Sequence, residues 1–576
     1  PGFPCASPRF TGRRGAFSVR GMPPRCLHLL ESLYGETLAR RWAPQFAALL
    51  ERFRPLMPPA VAGPAAPVTE ADALLITYPD QVREPGRAPL PVLHEFAARH
   101  LAGVVSGLHL LPFYPWSSDD GFAVQDYFAV DPAYGTWEDL ERLGRDFALM
   151  FDGVFNHLSA QSEWFQRFLA DDPEYRDFFV TVEGTPDLSA VVRPRALPLI
   201  TEFPSPAGPR RVWTTFSADQ VDLNYRQPAV LWRVTEALLF YAARGARFIR
   251  LDAIAFLWKE IGTSCLHRPQ THAIIRFWRA MLEAVAPGVR LITETNVPHA
   301  ENVAYFGDGT DEAHLVYNFA LPPLVLHAFA TGRAETLARW ARTLATPSDQ
   351  TAFFNFLASH DGIGLNPARG ILPEAEIERL VARTRAHGGL VSYKSLPDGS
   401  PAPYELNINY LDALSDPAAG EPAEVTARRF LTAHAILLSL PGMPGLYFHS
   451  LFGSRGDRAG AEASGLPRRI NREKLDRAHL ETELAAPGSQ RALIFRGLEA
   501  LLRQRRAHPA LSPAAPSEVS APDPRVLAVR RESRDGRDRL WCLHNVSAEP
   551  VRLRGAPGGV PETVLAPWGF AWVPGS

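Results

Sequence analysis

Lysine is almost missing from this chain. Its 60 basic residues include only Lys259, Lys394 and Lys474, and the rest are arginine. Basic and acidic residues nearly cancel, 60 against 62, so the net charge is −2 and no global positive field attracts a nucleic-acid backbone. Cysteine is scarce as well. Cys5, Cys26, Cys265 and Cys542 are scattered without a CxxC spacing, which excludes a disulfide framework and a zinc ribbon. No uninterrupted apolar run reaches the roughly 18 residues that a membrane-spanning helix needs. Nothing at the N-terminus has the order of a secretory signal. The expectation is a cytoplasmic protein, monomer or homodimer, whose partners are small molecules rather than nucleic acid or membrane.

What is present is ordinary globular composition, 46% apolar and 21% charged over 576 residues, enough for two or three domains of which one is large. Residues 1–25, rich in Gly, Pro and Arg, read as a leader, and 26–56 has helical spacing. The Pro/Ala stretch 58–67 reads as a linker. Short apolar runs then recur at 73–80, 107–113, 147–157, 246–254, 289–296, 313–319, 351–361 and 435–448, with helical patterns between them. Continuous apolar strands alternating with helices suit a parallel sheet buried on both faces, and eight of them predict an α/β fold, a (β/α)8 TIM barrel. The third connection is too long for one crossover and predicts an inserted subdomain after strand 3. Alternating runs beyond about 510 predict a small C-terminal β domain. The expected division is an N-terminal extension at 1–67, the barrel at 68–157 and 226–508, the insertion at 158–225, and the β domain at 509–576.

In such a barrel, chemistry sits where the strands end. The third run ends in Asp152, Asn156 and His157, the fourth in Arg250 and Asp252, the fifth in Glu294, and the seventh in His360 and Asp361. A single Asp at a strand end commonly caps a helix or makes a structural ion pair. Three carboxylates in successive apolar runs form an acid/base constellation. Arg250 lies two residues from Asp252, on the same strand face, and is expected to hold it ionised as a nucleophile. Glu294, among apolar neighbours, is expected to keep its proton as a general acid. One low and one high carboxylate are what glycoside cleavage uses.

FDGVFNH, GARFIRLDAI, ITETN and FLASHDG resemble the four short motifs of the α-amylase superfamily, glycoside hydrolase family 13. The resemblance implies Asp252 as nucleophile, Glu294 as general acid/base and Asp361 as the third carboxylate, supported by His157, Arg250 and His360. DGFAVQDY, VVRPRALPLIT, WTTFSADQVDLN, SHDGIG and RRINR narrow it to the sucrose phosphorylase subfamily. That subfamily implies Asp119 and Phe122 in the glucosyl pocket, and Arg468 paired with the third carboxylate. It implies Arg193 and Arg195 on phosphate, and Tyr404 on a moving loop. Loops at about 193–200 and 390–406 would close to keep water out.

Glu405 stands where sucrose phosphorylases carry Gln, on a loop expected to face the leaving group. FYPWSSDDGF, YFGDGTDEAH, TAFFNF and APYEL resemble the branch that releases D-glycerate rather than fructose. The implied reaction is retaining phosphorolysis of an α-glucoside through a covalent β-glucosyl enzyme. Sucrose or glucosylglycerol as donor, a hydrolase or transglucosidase, and a non-catalytic sugar-binding barrel are the alternatives. No cofactor is expected, since inorganic phosphate is a substrate. No metal is expected either, although Asn156 matches a calcium-binding position in many α-amylases. His267 and His272 are expected to serve a helix start, and Cys265 to be a buried apolar residue.

Overall fold

The computed structural model describes residues 21–396, 400–555 and 559–575. The first 20 residues of the expected leader lie outside the described residues. Eight parallel strands close a barrel: β1 Leu74–Thr77, β2 Gly107–Leu110, β3 Ala148–Gly153, β4 Ala246–Leu251, β5 Arg290–Thr293, β6 Leu315–Tyr317, β7 Ala352–Asn355 and β8 Met443–Tyr447. Each pairs with the next in sequence, and β8 returns to β1. The strands are short, apolar and buried, as strands covered on both faces must be. A Cβ on Gly445 would overlap the Phe354 ring that fills the barrel interior, so glycine is required there. In the β3/β4 ladder the register shifts between Leu149 and Met150, which pair with Ala246 and Phe248. Asp152 consequently sits opposite Arg250.

Every expected run contains one barrel strand, with one adjustment. The first part of 435–448 is the end of a helix, Ala423–Ser439, and only Met443–Tyr447 is strand. Ahead of the helix Pro228–Ala243 that leads into β4, residues 157–222 form a shorter helix, Glu163–Leu169, and two small antiparallel pairs, one joining His157–Ser159 to Gln220–Asp222 and one joining Ile200–Phe203 to Arg210–Trp213. Beyond β7 the chain makes a three-stranded sheet of Ile363–Gly364, Leu390–Ser395 and Pro401–Asn407.

The N-terminal extension belongs to the core. Helix α1, Pro24–Phe53, is kinked at Gly35, whose φ of 79° a side chain rarely adopts, and packs on α2, Pro228–Ala243, and α3, Pro269–Val285. Phe46 meets Phe277 edge to face at 4.9 Å. The stretch expected to be a linker is docked rather than free: Val61 is fully buried and its carbonyl accepts the Gly288 N–H at 2.8 Å.

A four-stranded antiparallel sheet, β9 Ser517–Asp523, β10 Val526–Glu532, β11 Arg539–Asn545 and β12 Phe570–Pro574, packs beside Ala423–Ser439. Arg531, fully buried, joins the two by donating to the carbonyls of Ser439, Ser512 and Ala515.

Candidate active site at the strand ends

One cavity of about 260 Å³ opens at the carboxyl ends of the strands. It is lined by Asp252, Glu294 and Asp361, with Asp119, Phe122, His157, His360, Tyr404, Arg468, Arg193 and Arg195 around them. Eleven of the thirteen residues singled out in the sequence therefore share one wall system. The other two, Arg250 and Glu405, lie behind that lining.

Arg250, 2% exposed, organises the floor. Its Nη1 donates to Asp252 Oδ1 at 2.8 Å and also to Asp152, whose other oxygen meets His109 Nε2 at 2.8 Å. Phe122 and Tyr317 place ring faces on the same guanidinium, at 5.7 and 5.5 Å. Burial disfavours the charge on Asp152, but Arg250 and His109 outweigh it and hold that carboxyl below the ordinary range. For Asp252 the balance is reversed. Burial raises it well above the ordinary range; Arg250 works against that, and the charges of Glu294, Asp152 and Asp361 add to it. This corrects the expectation that Arg250 simply depresses Asp252: the guanidinium is shared.

Burial also raises Glu294, opposed by Arg250 and reinforced by Asp361. Its Oε2 accepts the Ala253 N–H at 2.9 Å, and among the described residues no cation pairs with it directly. Burial thus raises both carboxyls, Asp252 in spite of its ion pair with Arg250 and Glu294 without one. Ala253 has φ 48°, a left-handed conformation for a residue with a side chain, so the backbone that presents both carboxylates is strained at that point.

The third carboxylate has the opposite environment. Burial acts against its charge, but Arg468, His360, Arg472 and Arg250 hold Asp361 far below the usual range. Arg468 Nη1 contacts Asp361 Oδ1 at 2.5 Å, and Arg472 Nη2 does so at 3.4 Å. Arg472 was not singled out in the sequence, though it closes the same RRINR segment four residues after Arg468. The segment is a 3-10 turn, Pro467–Asn471, and Arg472 follows at its C-terminal end. Arg472 Nη1 also reaches Asp120 at 2.8 Å and Asp119 at 3.4 Å. His360 stacks flat on Phe122 at 4.7 Å, and burial, opposed by Asp361, pushes its imidazole well below the ordinary range. His157 Nε2 faces the Phe122 carbonyl at 2.9 Å, and Gln220, also unforeseen, donates to that carbonyl at 3.2 Å.

Glu405 is placed differently from the expectation. It lies on the strand Pro401–Asn407, is 1% exposed, and does not face the cavity. Its Oε1 accepts from Gly362 N at 2.5 Å and Arg468 Nε at 3.1 Å, while Oε2 accepts from Arg468 Nη2 at 2.8 Å. The neighbouring Tyr404 does line the cavity, its hydroxyl 3.4 Å from Asn296 Nδ2. The segment expected to move, 390–406, is a hairpin of Leu390–Ser395 with Pro401–Asn407; its tip at 397–399 lies outside the described residues. Arg193 donates to the Leu197 carbonyl, and Arg195 has no ion pair among the described residues.

Around Asn156, an ammonium fills the place between the polar groups. Lys259 Nζ donates to Asn156 Oδ1 at 2.7 Å and pairs with Asp222 Oδ2 at 2.5 Å. Among the described residues no group of three or more His, Cys, Asp or Glu side chains is placed to hold a metal ion, and no helix is long and apolar enough to cross a membrane. His267 and His272 do not cap α3. They bind Tyr305 at 2.7 Å and Glu312 at 2.8 Å, tying its first turn to the segment after β5. Cys265 is buried beside Val191, Leu199 and Trp213.

A closed parallel barrel with three carboxylates at its strand ends, one of them clamped by arginines beside a His stacked on Phe, is the architecture of the α-amylase class of barrels. The chain belongs to the α-amylase family and, within it, to the group of the glucosylglycerate phosphorylases. It matches the α-amylase catalytic-domain family over residues 103–363. It is 51% identical over 526 residues to the glucosylglycerate phosphorylase of Spirochaeta thermophila, covering 91% of this chain and 89% of that one. It is 53% identical over 510 residues to the enzyme of that name from Allomeiothermus silvanus, covering 88% and 91%. The crystal structure of sucrose 6F-phosphate phosphorylase from Thermoanaerobacter thermosaccharolyticum superposes with a TM-score of 0.73 at 23% identity, covering 88% of this chain and 99% of that one.

Proposed function

We propose that the protein is a retaining phosphorylase that transfers an α-D-glucosyl unit from glucosylglycerate to inorganic phosphate, giving α-D-glucose 1-phosphate and D-glycerate. The observation that carries this reading is that Asp252, ion-paired to Arg250, and Glu294, which has no ion pair among the described residues, line one cavity whose wall also includes Arg193 and Arg195. The two close relatives bearing that activity in their names support the choice of donor.

Asp252 Oδ attacks the anomeric carbon as the bond to the glycosidic oxygen breaks. Glu294 gives its proton to that oxygen, and D-glycerate leaves. When Asp252 bonds to carbon its charge is spent, so Arg250 turns fully to Asp152; in the reverse sense it steadies the carboxylate as it is released. Asp361 stays anionic throughout, held by Arg468 and Arg472, and accepts hydrogen bonds from the sugar hydroxyls. Phe122 and His360 offer a flat apolar wall to the ring. Phosphate, held by Arg193 and Arg195 in the bidentate manner suited to guanidinium, then attacks the same carbon from the side the glycerate left. Glu294 takes up a phosphate proton, and the ester to Asp252 breaks. Two inversions give net retention. The scheme uses no metal or cofactor.

The test is formation of α-glucose 1-phosphate from 2-O-α-glucosyl-D-glycerate or sucrose, with a phosphate-free control. Glucose 1-phosphate from the glycerate donor, and none from Asp252→Ala, is the expected result. Preference for sucrose refutes the donor assignment. Free glucose at equal rate with and without phosphate refutes phosphorolysis, and Asp252→Ala activity within tenfold of the parent refutes the nucleophile.

A further inference from the structure

In a chain that uses arginine almost throughout, the three lysines place a compact ammonium where a guanidinium is the usual cation. For two of them the reason is visible. Lys259 is clamped between Asn156 and Asp222. Lys474 pairs with Asp80 at 2.7 Å and sits over the Tyr78 ring at 3.7 Å. Lys394 is different. It lies on the strand Leu390–Ser395, half-buried, and lines the catalytic cavity. Its Nζ donates to Asn366 Oδ1 at 2.9 Å, and among the described residues no carboxylate lies within ion-pair distance of it. The charge beside it is Arg369, also on the cavity wall, whose own guanidinium is held by Glu374 at 2.6 Å and by the Pro403 carbonyl at 3.2 Å. An ammonium has three donors, and a neutral amide takes one. The other two have no protein acceptor among the described residues.

We propose that Lys394, oriented by Asn366, binds the carboxylate of the departing acid, and so makes the acceptor site select a small carboxylate over a neutral polyol or sugar. This rests on the phosphorylase reading given above. A half-desolvated cation beside a second cation is unfavourable without a counter-charge, and a neutral leaving group supplies none. Phosphate and the acid occupy the site in turn, and two cationic elements serve them. The segment carrying Arg193 and Arg195 offers the bidentate forks that match phosphate. Lys394 belongs to a separate hairpin, paired with Ala402 two residues before Tyr404, and offers a single-point contact suited to one carboxylate oxygen.

The experiment runs the reaction backwards, with α-glucose 1-phosphate as donor and D-glycerate or glycerol as acceptor, on the wild type, Lys394→Met, Lys394→Gln and Lys394→Arg. Phosphorolysis of α-glucosyl fluoride reports the KM for phosphate. Loss of one charge-assisted hydrogen bond gives an expected rise of about 30-fold in the KM for D-glycerate in Lys394→Met. Transfer to glycerol and the KM for phosphate stay within about threefold of wild type, and Lys394→Arg recovers part of the glycerate affinity. Equal losses for glycerate and glycerol, a rise in the phosphate KM instead, or loss of fluoride turnover in both neutral variants each overturn the assignment. A wild type that shows no preference for D-glycerate refutes the phosphorylase reading and this proposal together. A wild type that prefers D-glycerate, with Lys394→Met unchanged, refutes only this proposal.

Discussion

Replacing Glu405 by Gln separates two accounts of this residue. If it touched the leaving group, the change would alter donor preference. In the structure it holds Arg468, which holds Asp361, so the effect should pass to every donor alike. The magnitude follows from the hydrogen bonds. Both oxygens of Glu405 are acceptors, Oε1 toward Gly362 N and Arg468 Nε, Oε2 toward Arg468 Nη2. Whichever way a Gln amide is turned, its NH2 meets an N–H. One buried donor is left opposed, at a cost of about 1–3 kcal/mol. Arg468 keeps Asp361 at 2.5 Å, so the guanidinium is not left uncompensated and the larger penalty of a stranded buried charge does not apply. If the strain is relieved by displacement of Arg468, the loss appears in the grip on the sugar and lowers kcat/KM by about 10- to 100-fold. The assay is kcat/KM for the glycerate glucoside and for α-glucosyl fluoride side by side. Parallel losses support the positioning role. A loss confined to the glycerate donor refutes the reasoning, because a residue behind Arg468 has no means of sensing which group leaves.

Glu294→Gln should cut phosphorolysis of the natural glucoside by about 10²- to 10⁴-fold while leaving formation of the glucosyl enzyme from α-glucosyl fluoride, which needs no acid, nearly intact; rapid-quench measurement of the covalent species checks this. Because burial raises Glu294, its acid form persists above the ordinary value of about 4.3, so the wild-type kcat/KM should fall only as pH rises past that range, and Glu294→Gln should abolish this limb in the pH profile. Lys259→Met leaves Asp222, fully buried, with its Asn156 and Thr215 hydrogen bonds but no cation. The expected destabilisation is about 3–5 kcal/mol, read as a lower midpoint in denaturant, and an unchanged midpoint would mean that the ammonium contributes nothing to the fold.

The barrel was legible because its strands are buried on both faces and so appear as uninterrupted apolar runs. The site was legible because the polar residues that end those runs have no apolar alternative role. Asp252, Glu294, Asp361, His360 and His157 fall into this class. Residues whose meaning comes from closure were not legible. His109 sits in an apolar run with nothing local to mark it, and its role appears only once β2 lies beside β3 and Asp152. Lys259 reaches Asn156 across 103 residues of chain. Glu405 was misplaced because sequence order gave its neighbours but not which side of the strand it occupies. A one-position alternation turns Tyr404 toward the cavity and Glu405 away from it.

The irregularity in the β3/β4 ladder has a consequence for how this enzyme can change. With uninterrupted pairing from Leu149 opposite Ala246, Asp152 would fall beside Ile249. Passing over Arg247 brings Arg250 there instead. The charge arrangement beneath the nucleophile is therefore an alignment fixed by counting residues, not only by choosing them. An insertion of one residue between Phe248 and Arg250 would keep every catalytic side chain in the sequence and still present the wrong partner to Asp152, whereas removal of the passed-over Arg247 would leave Arg250 opposite Asp152 in a regular ladder. Substitution can tune this centre gradually, whereas lengthening that strand beyond Phe248 dismantles it in one step.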